Sequence, residues 1–158
     1  KGNPPQKFKN LFEAAIKEGF LTVAHAGEEG PPEYIWDSLN LLKVRRIDHG
    51  VQCLRDEKLV EILKKENIPL TVCPLSNIKL CVFDKLENHN LKEMLNRGLR
   101  VVVNSDDPAY FGGYLNTNLI ETSKALNLSL DDVKILIQNS FKSSFLDDKI
   151  KNSWLNKI

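Results

Sequence analysis

His25, Glu28, His49, Asp106 and Asp107 are of the types that bind metals and move protons, and each follows a short apolar run. The stretch Leu21-Thr22-Val23-Ala24-His25-Ala26-Gly27-Glu28-Glu29-Gly30 shows the pattern best. A β-type run delivers a histidine at its end, and the backbone then turns through two glycines that flank two carboxylates. A neutral imidazole there can hold a metal, and a carboxyl three residues on can reach the same space as a proton donor. One such stretch alone also fits a core-edge histidine followed by a glycine-rich loop and a helix cap. The pattern recurs, however, at Asp48-His49, Ser76-Asn77 and Asp106-Asp107. His25, His49 and Asp106 are the strongest metal or proton-transfer candidates, since imidazole and carboxylate suit zinc or a similar divalent ion. No compact His-x-His or His-x-x-x-His pair occurs, so a site built from these residues is dispersed along the chain. His49 equally reads as a strand-end histidine held by a backbone carbonyl. Asp106-Asp107-Pro108 also reads as a helix cap with proline at the first helical position. A cap explains one aspartate. Two adjacent carboxylates at the end of a buried strand need a cation or hydrogen-bond donors beside them.

The elements that must position these residues follow from periodicity. Strands are expected near 21–25, 45–49, 69–73 and 100–104, the last strongly β-branched. Helices are expected over about 6–18, from Pro31-Pro32 through Leu42, over 56–66 and over 91–97, with a mostly helical remainder after Pro108. The segment from Pro74 to about Asn88 reads as irregular. Four strand-then-helix units, with strands read as apolar on both faces, imply a parallel sheet covered by helices. Polar residues at every strand end point to a (β/α)8 barrel, in which all strand C-termini ring one mouth. Such a barrel takes roughly 250 residues, so residues 1–158 are expected to form a single partial barrel domain, the C-terminal four of eight units.

Three other features are secondary. His89, in Glu87-Asn88-His89-Asn90, reads as a solvated loop residue and not as a ligand. Tyr110 and Phe111, beside Gly112-Gly113, are either a pocket wall for a planar ligand or loop packing. Cys73-Pro74 lacks the second cysteine that a cytidine-type zinc deaminase signature requires, because position 76 is serine.

Composition narrows the partners. The 22 basic and 21 acidic residues leave a net charge of +1 with no block of like charge, which argues against nucleic acid or a membrane surface and for a small molecule. No apolar run reaches the roughly 20 residues of a membrane span, and Lys1-Gly2-Asn3-Pro4-Pro5 is no signal peptide core. Cys53, Cys73 and Cys81 suit reduced thiols in a cytoplasmic protein. Starting at Lys1, the chain is expected to be a piece of a longer one.

Taken together, His25-Ala26-Gly27-Glu28, Ile47-Asp48-His49-Gly50, Cys73-Pro74-Leu75-Ser76-Asn77 and Ser105-Asp106-Asp107-Pro108 resemble, in order and spacing, the adenosine and adenine deaminase family of zinc-dependent amidohydrolase barrels. Glu28 to Tyr34, Leu75 to Leu80 and Asp107 to Tyr114 resemble the adenine-specific branch more than the nucleoside enzymes. The resemblance implies zinc-dependent hydrolysis of adenine to hypoxanthine and ammonia in purine salvage. The alternative within the class is adenosine or another 6-aminopurine, and outside it a non-catalytic half-barrel that complements another polypeptide. By the same resemblance His25 and Asp106 are zinc ligands, Glu28 is the acid that protonates ring N1, His49 orients and deprotonates the attacking water, and Asp107 accepts from the purine N7 side. Glu28 must then have a pKa raised by burial, whereas Asp106 must stay ionised. The family's His-x-His pair, two of its four protein ligands, is missing here. The chain alone is therefore expected to bind zinc weakly, to be inactive, and to self-associate through open barrel edges.

Overall fold

The structure, a computed structural model, describes residues 2–158; Lys1, on which the expectation of a longer chain rests, lies outside the described residues. Four short parallel strands, β1 (Val23–Ala26), β2 (Arg46–His49), β3 (Pro69–Val72) and β4 (Arg100–Val103), lie in sequence order in one sheet. That order, with a helical crossover after each strand, is the arrangement of consecutive units in a βα barrel. Helices α1 (Lys9–Lys17), α2 (Pro32–Asn40), α3 (Glu57–Lys65), α4 (Pro74–Lys79) and α5 (Leu91–Asn96) accompany the strands. After β4 come α6 (Pro108–Phe111), α7 (Leu115–Ala125), α8 (Leu130–Ser143) and α9 (Asp148–Leu155).

Register decides which side chains face the helices. Ala24, Ile47, Leu70 and Val101 form one row across the sheet, and the last three are fully buried with Leu59, Leu63, Leu91 and Met94 in the helix-side core. The next row, His25, Asp48, Thr71 and Val102, points to the opposite face. There the expectation of strands apolar on both faces fails. Arg46 and Asp48 alternate with Ile47 and His49, and the Thr71 hydroxyl donates to Asp48 Oδ1 at 2.5 Å. Alternation, and not a continuous apolar run, marks this face as the lining of a polar interior. Apart from a two-residue later start for β1, the strand ends lie within one residue of their expected positions.

Local signals explain most helix boundaries. Asp56 Oδ1 accepts from the backbone N–H groups of Lys58 and Leu59 and caps α3, and Ser129 with Asp132 forms a reciprocal capping box on α8. The segment after Pro74 departs from the irregular reading: Pro74 opens α4, because a proline that ends a strand is also pre-set for the first turn of a helix. At the far side of the sheet, Asn139 Nδ2 of α8 donates to the Val101 carbonyl at 3.0 Å. Asn104, three residues on, bonds toward β3 through its N–H, so Val101 points to the open edge and α8 partly satisfies it. No helix among the described residues is long and apolar enough to cross a membrane.

Candidate active site

The C-terminal ends of the strands bring four of the five candidates together. β1 ends His25 and Ala26 against Asp48 and His49 of β2, and the His25 and His49 rings lie 4.4 Å apart, tilted by 52°. The chain then turns back through Gly27, whose φ of +69° is left-handed and whose missing Cβ would sit 2.3 Å from Ile35 Cδ1. Only glycine fits there, and the turn swings Glu28 in under the strand ends. Gln52 Nε2 holds the Glu28 carbonyl at 3.0 Å. His49 and Asp106 themselves have positive φ, 68° and 56°, a conformation that side chains with a Cβ rarely adopt and that concentrates at functional sites.

The side chains then form a compact network. Glu28, 3 % exposed, has Oε2 at 3.3 Å from His25 Nε2 and Oε1 at 3.2 Å from His49 Nδ1. His49 Nε2 lies 3.9 Å from Asp106 Oδ2, which also accepts from the Ser76 hydroxyl at 2.8 Å. Burial pushes the Glu28 carboxyl up to about 7; the Asn77 hydrogen bond opposes this, while negative Asp106 and Glu29 reinforce it. Burial, and next the neighbouring His25, pull His49 down to about 4. The Glu28–His49 contact at neutral pH is therefore not an ion pair, and Asn77 Nδ2 lies 3.5 Å from the same His49 Nδ1. With the His49 proton on Nδ1, facing Glu28, Nε2 is left as a base.

His25, His49, Asp106 and Cys73 line one cavity of about 480 Å³ on the polar face of the sheet, together with Arg46 and Asp48. His25 is 61 % exposed toward it. Potential metal-ligating atoms converge in two triads that share His49, namely His25–Glu28–His49 and His49–Cys73–Asp106. Imidazole nitrogens and carboxylate oxygens are a donor set that suits zinc. Burial holds the Cys73 thiol up at about 12, so it stays protonated without a metal. The residues present thus fit part of a zinc site, with His25 and Asp106 on either side of His49.

Asp107 stands apart. Its Oδ1 accepts from the N–H groups of Ala109 and Tyr110 and caps α6, and it belongs neither to the triads nor to the cavity lining. The cap reading accounts for that oxygen. Of the aromatic pair, Phe111 is buried and Tyr110 is exposed.

Two residues escaped the sequence reading. Asn77, a polar strand-end residue within the family motif to which the sequence assigns no role, is buried and donates through Nδ2 to Glu28 Oε1 at 2.6 Å. His89 is 4 % exposed and not solvated, its ring packed 4.4 Å from that of Phe83, with Nε2 at 3.1 Å from Asn77 Oδ1. Its polar neighbours suggested solvent. The missed signal was its place two residues before the apolar start of α5, where Nδ1 accepts the Leu91 N–H at 3.0 Å.

A parallel half-barrel with an imidazole–carboxyl cluster at its strand ends defines the class, the amidohydrolase barrels. The match to the adenosine deaminase family model extends over residues 1–158, and the chain belongs to that family. Curated relatives named adenine deaminase include proteins from Acinetobacter baylyi, 55 % identical over 157 residues, and Crocosphaera subtropica, 62 % identical over 151 residues. These alignments take in 99 % and 96 % of this chain but 47 % and 46 % of the relatives, so the chain spans about half their length. The crystal structure of adenine deaminase from Arthrobacter aurescens superposes with a TM-score of 0.96 at 50 % identity, over 98 % of this chain and 47 % of that one. An amidohydrolase from Burkholderia ambifaria with bound Zn superposes at 0.88 and 26 % identity, over 98 % of this chain and 43 % of its own length.

Proposed function

We propose that this chain carries the acid, the base and part of the metal-binding set of an adenine deaminase, which hydrolyses adenine to hypoxanthine and ammonia. The supporting observation is the pairing of a buried carboxyl near neutrality, Glu28, with a neutral imidazole, His49, across 3.2 Å. Two titratable groups whose environments push them in opposite directions are what acid and base roles require. The names of the relatives point to the free base as substrate.

His25 and Asp106 would hold a zinc ion, and zinc there would bring the pKa of a water to about 7. His49 Nε2 takes a proton from the attacking water as its oxygen adds to C6 of adenine. Glu28 gives its proton to N1, which lets the ring accept the addition. The tetrahedral adduct at C6 then collapses: the proton taken up by His49 passes to the exocyclic nitrogen, the C6–N bond breaks, ammonia leaves, and the C6 hydroxyl gives up its proton, which restores the Glu28 acid, to become the carbonyl of hypoxanthine. Asp107 has one carboxylate oxygen left over from capping α6, and we assign that oxygen to the N7 side of the purine.

Catalytic zinc sites use about three protein ligands, and the assignment above gives the ion two from this chain, His25 and Asp106. The 158 residues expressed alone are therefore expected to bind zinc weakly and to show no turnover. The test is ammonia release and the ultraviolet shift on adenine beside adenosine, for the natural polypeptide that carries these residues and for the chain alone. Turnover of adenosine with adenine untouched would overturn the substrate assignment. Stoichiometric zinc and adenine turnover by the isolated chain would overturn the incomplete ligand set.

A further inference from the structure

Behind Glu28 lies a row of buried groups that the reaction above does not use. The Leu91 backbone N–H donates to His89 Nδ1 at 3.0 Å, His89 Nε2 lies 3.1 Å from Asn77 Oδ1, and Asn77 Nδ2 donates to Glu28 Oε1 at 2.6 Å. Each link fixes the next. A neutral imidazole has one donor and one acceptor nitrogen. With Nδ1 occupied as an acceptor, the His89 proton sits on Nε2 and is donated to Asn77. Burial keeps the ring neutral, with its pKa down at about 4. An amide that accepts through Oδ1 presents its NH2 on the other side, so Asn77 meets Glu28 as a donor. His49 Nδ1 approaches the same Oε1 at 3.2 Å. Oε1 is thus taken up by the Asn77 donor, and Oε2, 3.3 Å from His25, is the oxygen that Asn77 leaves free.

We propose that His89 and Asn77 are positioning residues for the acid: His89 locks the Asn77 amide with its donor toward Glu28 Oε1 and so leaves Oε2 as the oxygen free to serve the substrate. The inference rests on the deamination reading. Without the His89 donor the amide is free to turn over, and an Asn77 oxygen facing Oε1 would itself accept the carboxyl proton, on the side away from His25. Asn77 therefore needs His89 to be a donor and not an acceptor, a demand that packing alone does not make.

The test uses the natural polypeptide with its metal. His89→Leu is expected to lower kcat about 10- to 100-fold, as loss of an outer partner of an active-site group commonly does, with KM within about threefold and metal content unchanged. His89→Gln, whose amide can still donate to Asn77, is expected to recover most of that loss. Asn77→Asp is expected to lower kcat as well, since a carboxylate accepts from His89 but cannot donate to Glu28. A folded, metal-loaded His89→Leu protein with wild-type kcat overturns the proposal. So do equal losses in His89→Leu and His89→Gln that follow a drop in melting temperature, which is the signature of scaffolding. A second readout needs neither variants nor turnover: the ring nitrogens of His89 in 15N spectra should show one proton, on Nε2. A proton on Nδ1, or on both nitrogens, overturns the amide lock. If the wild-type protein releases no ammonia from adenine, the deamination reading fails, and the ring spectrum still decides the orientation of Asn77.

Discussion

Glu28→Gln separates the cost of burying this carboxyl from its proposed use as an acid. The carboxyl is 3 % exposed, and its pKa rises from 4.5 to about 7 on folding. A group whose folded pKa is raised binds its proton more tightly in the native state, so stability is greatest below pH 4.5 and falls as pH rises toward 7. The span of about 2.5 units, at about 1.36 kcal/mol each, makes the burial cost ~3 kcal/mol above pH 7. Glutamine has the same shape and no charge to desolvate, and its Oε1 can accept from Asn77 as the carboxyl does. Metal-free Glu28→Gln is therefore expected to match the parent near pH 4.5 and to exceed it by ~2–3 kcal/mol at pH 8. Urea unfolding at both pH values measures the difference. His49 and His89, both near 4 in the folded protein, have the opposite sign: their contribution is present above pH 6.5 and is lost as pH falls toward 4. They occur in both proteins and drop out of the comparison. Turnover of adenine should meanwhile fall about 10²- to 10⁴-fold, the range for a lost general acid. A stability difference that does not change with pH would refute the reasoning, since it would mean that Glu28 is not held protonated by its surroundings.

On the proposed mechanism His49 moves a proton and does not hold the purine, so His49→Gln should lower kcat about 10²- to 10⁴-fold with little change in KM; steady-state kinetics on adenine checks it. Gly27→Ala should destabilise the fold by at least about 2 kcal/mol, through a strained φ of +69° and a methyl driven onto Ile35 Cδ1, and thermal melts would register it.

Much of this arrangement was readable in the chain because strand ends carry their own punctuation. An apolar run that stops at His25, or at Asn104 before Ser105-Asp106, marks where a parallel strand delivers its last side chain. The four strands and the convergence of His25, Glu28, His49 and Asp106 follow from that. What the pattern did not carry was the polar face of the sheet, since Arg46 and Asp48 lie in a segment only four residues long, too short for alternation to stand out. His89 and Asn77 were less legible for another reason. Their partners are 12 and 49 residues away, at Asn77 and Glu28, and a side-chain bond across such a separation leaves no local period.

The left-handed backbone at His49 and Asp106 ties fold to chemistry. Each such residue costs roughly 1–2 kcal/mol, and each is followed or preceded by groups that hold it. The Gly50 N–H bonds to the Ala26 carbonyl at 3.0 Å and so anchors the turn after His49 to β1, while the Asn104 N–H bonds to Val72 and the Ser76 hydroxyl donates to Asp106. The sheet thus sustains two strained turns at the rim where the titratable groups meet. A relaxed backbone at either position would send the side chain along the strand direction and away from Glu28. Strain that the β1–β2 and β3–β4 ladders maintain is what allows an imidazole from β2 and a carboxylate following β4 to flank one cavity.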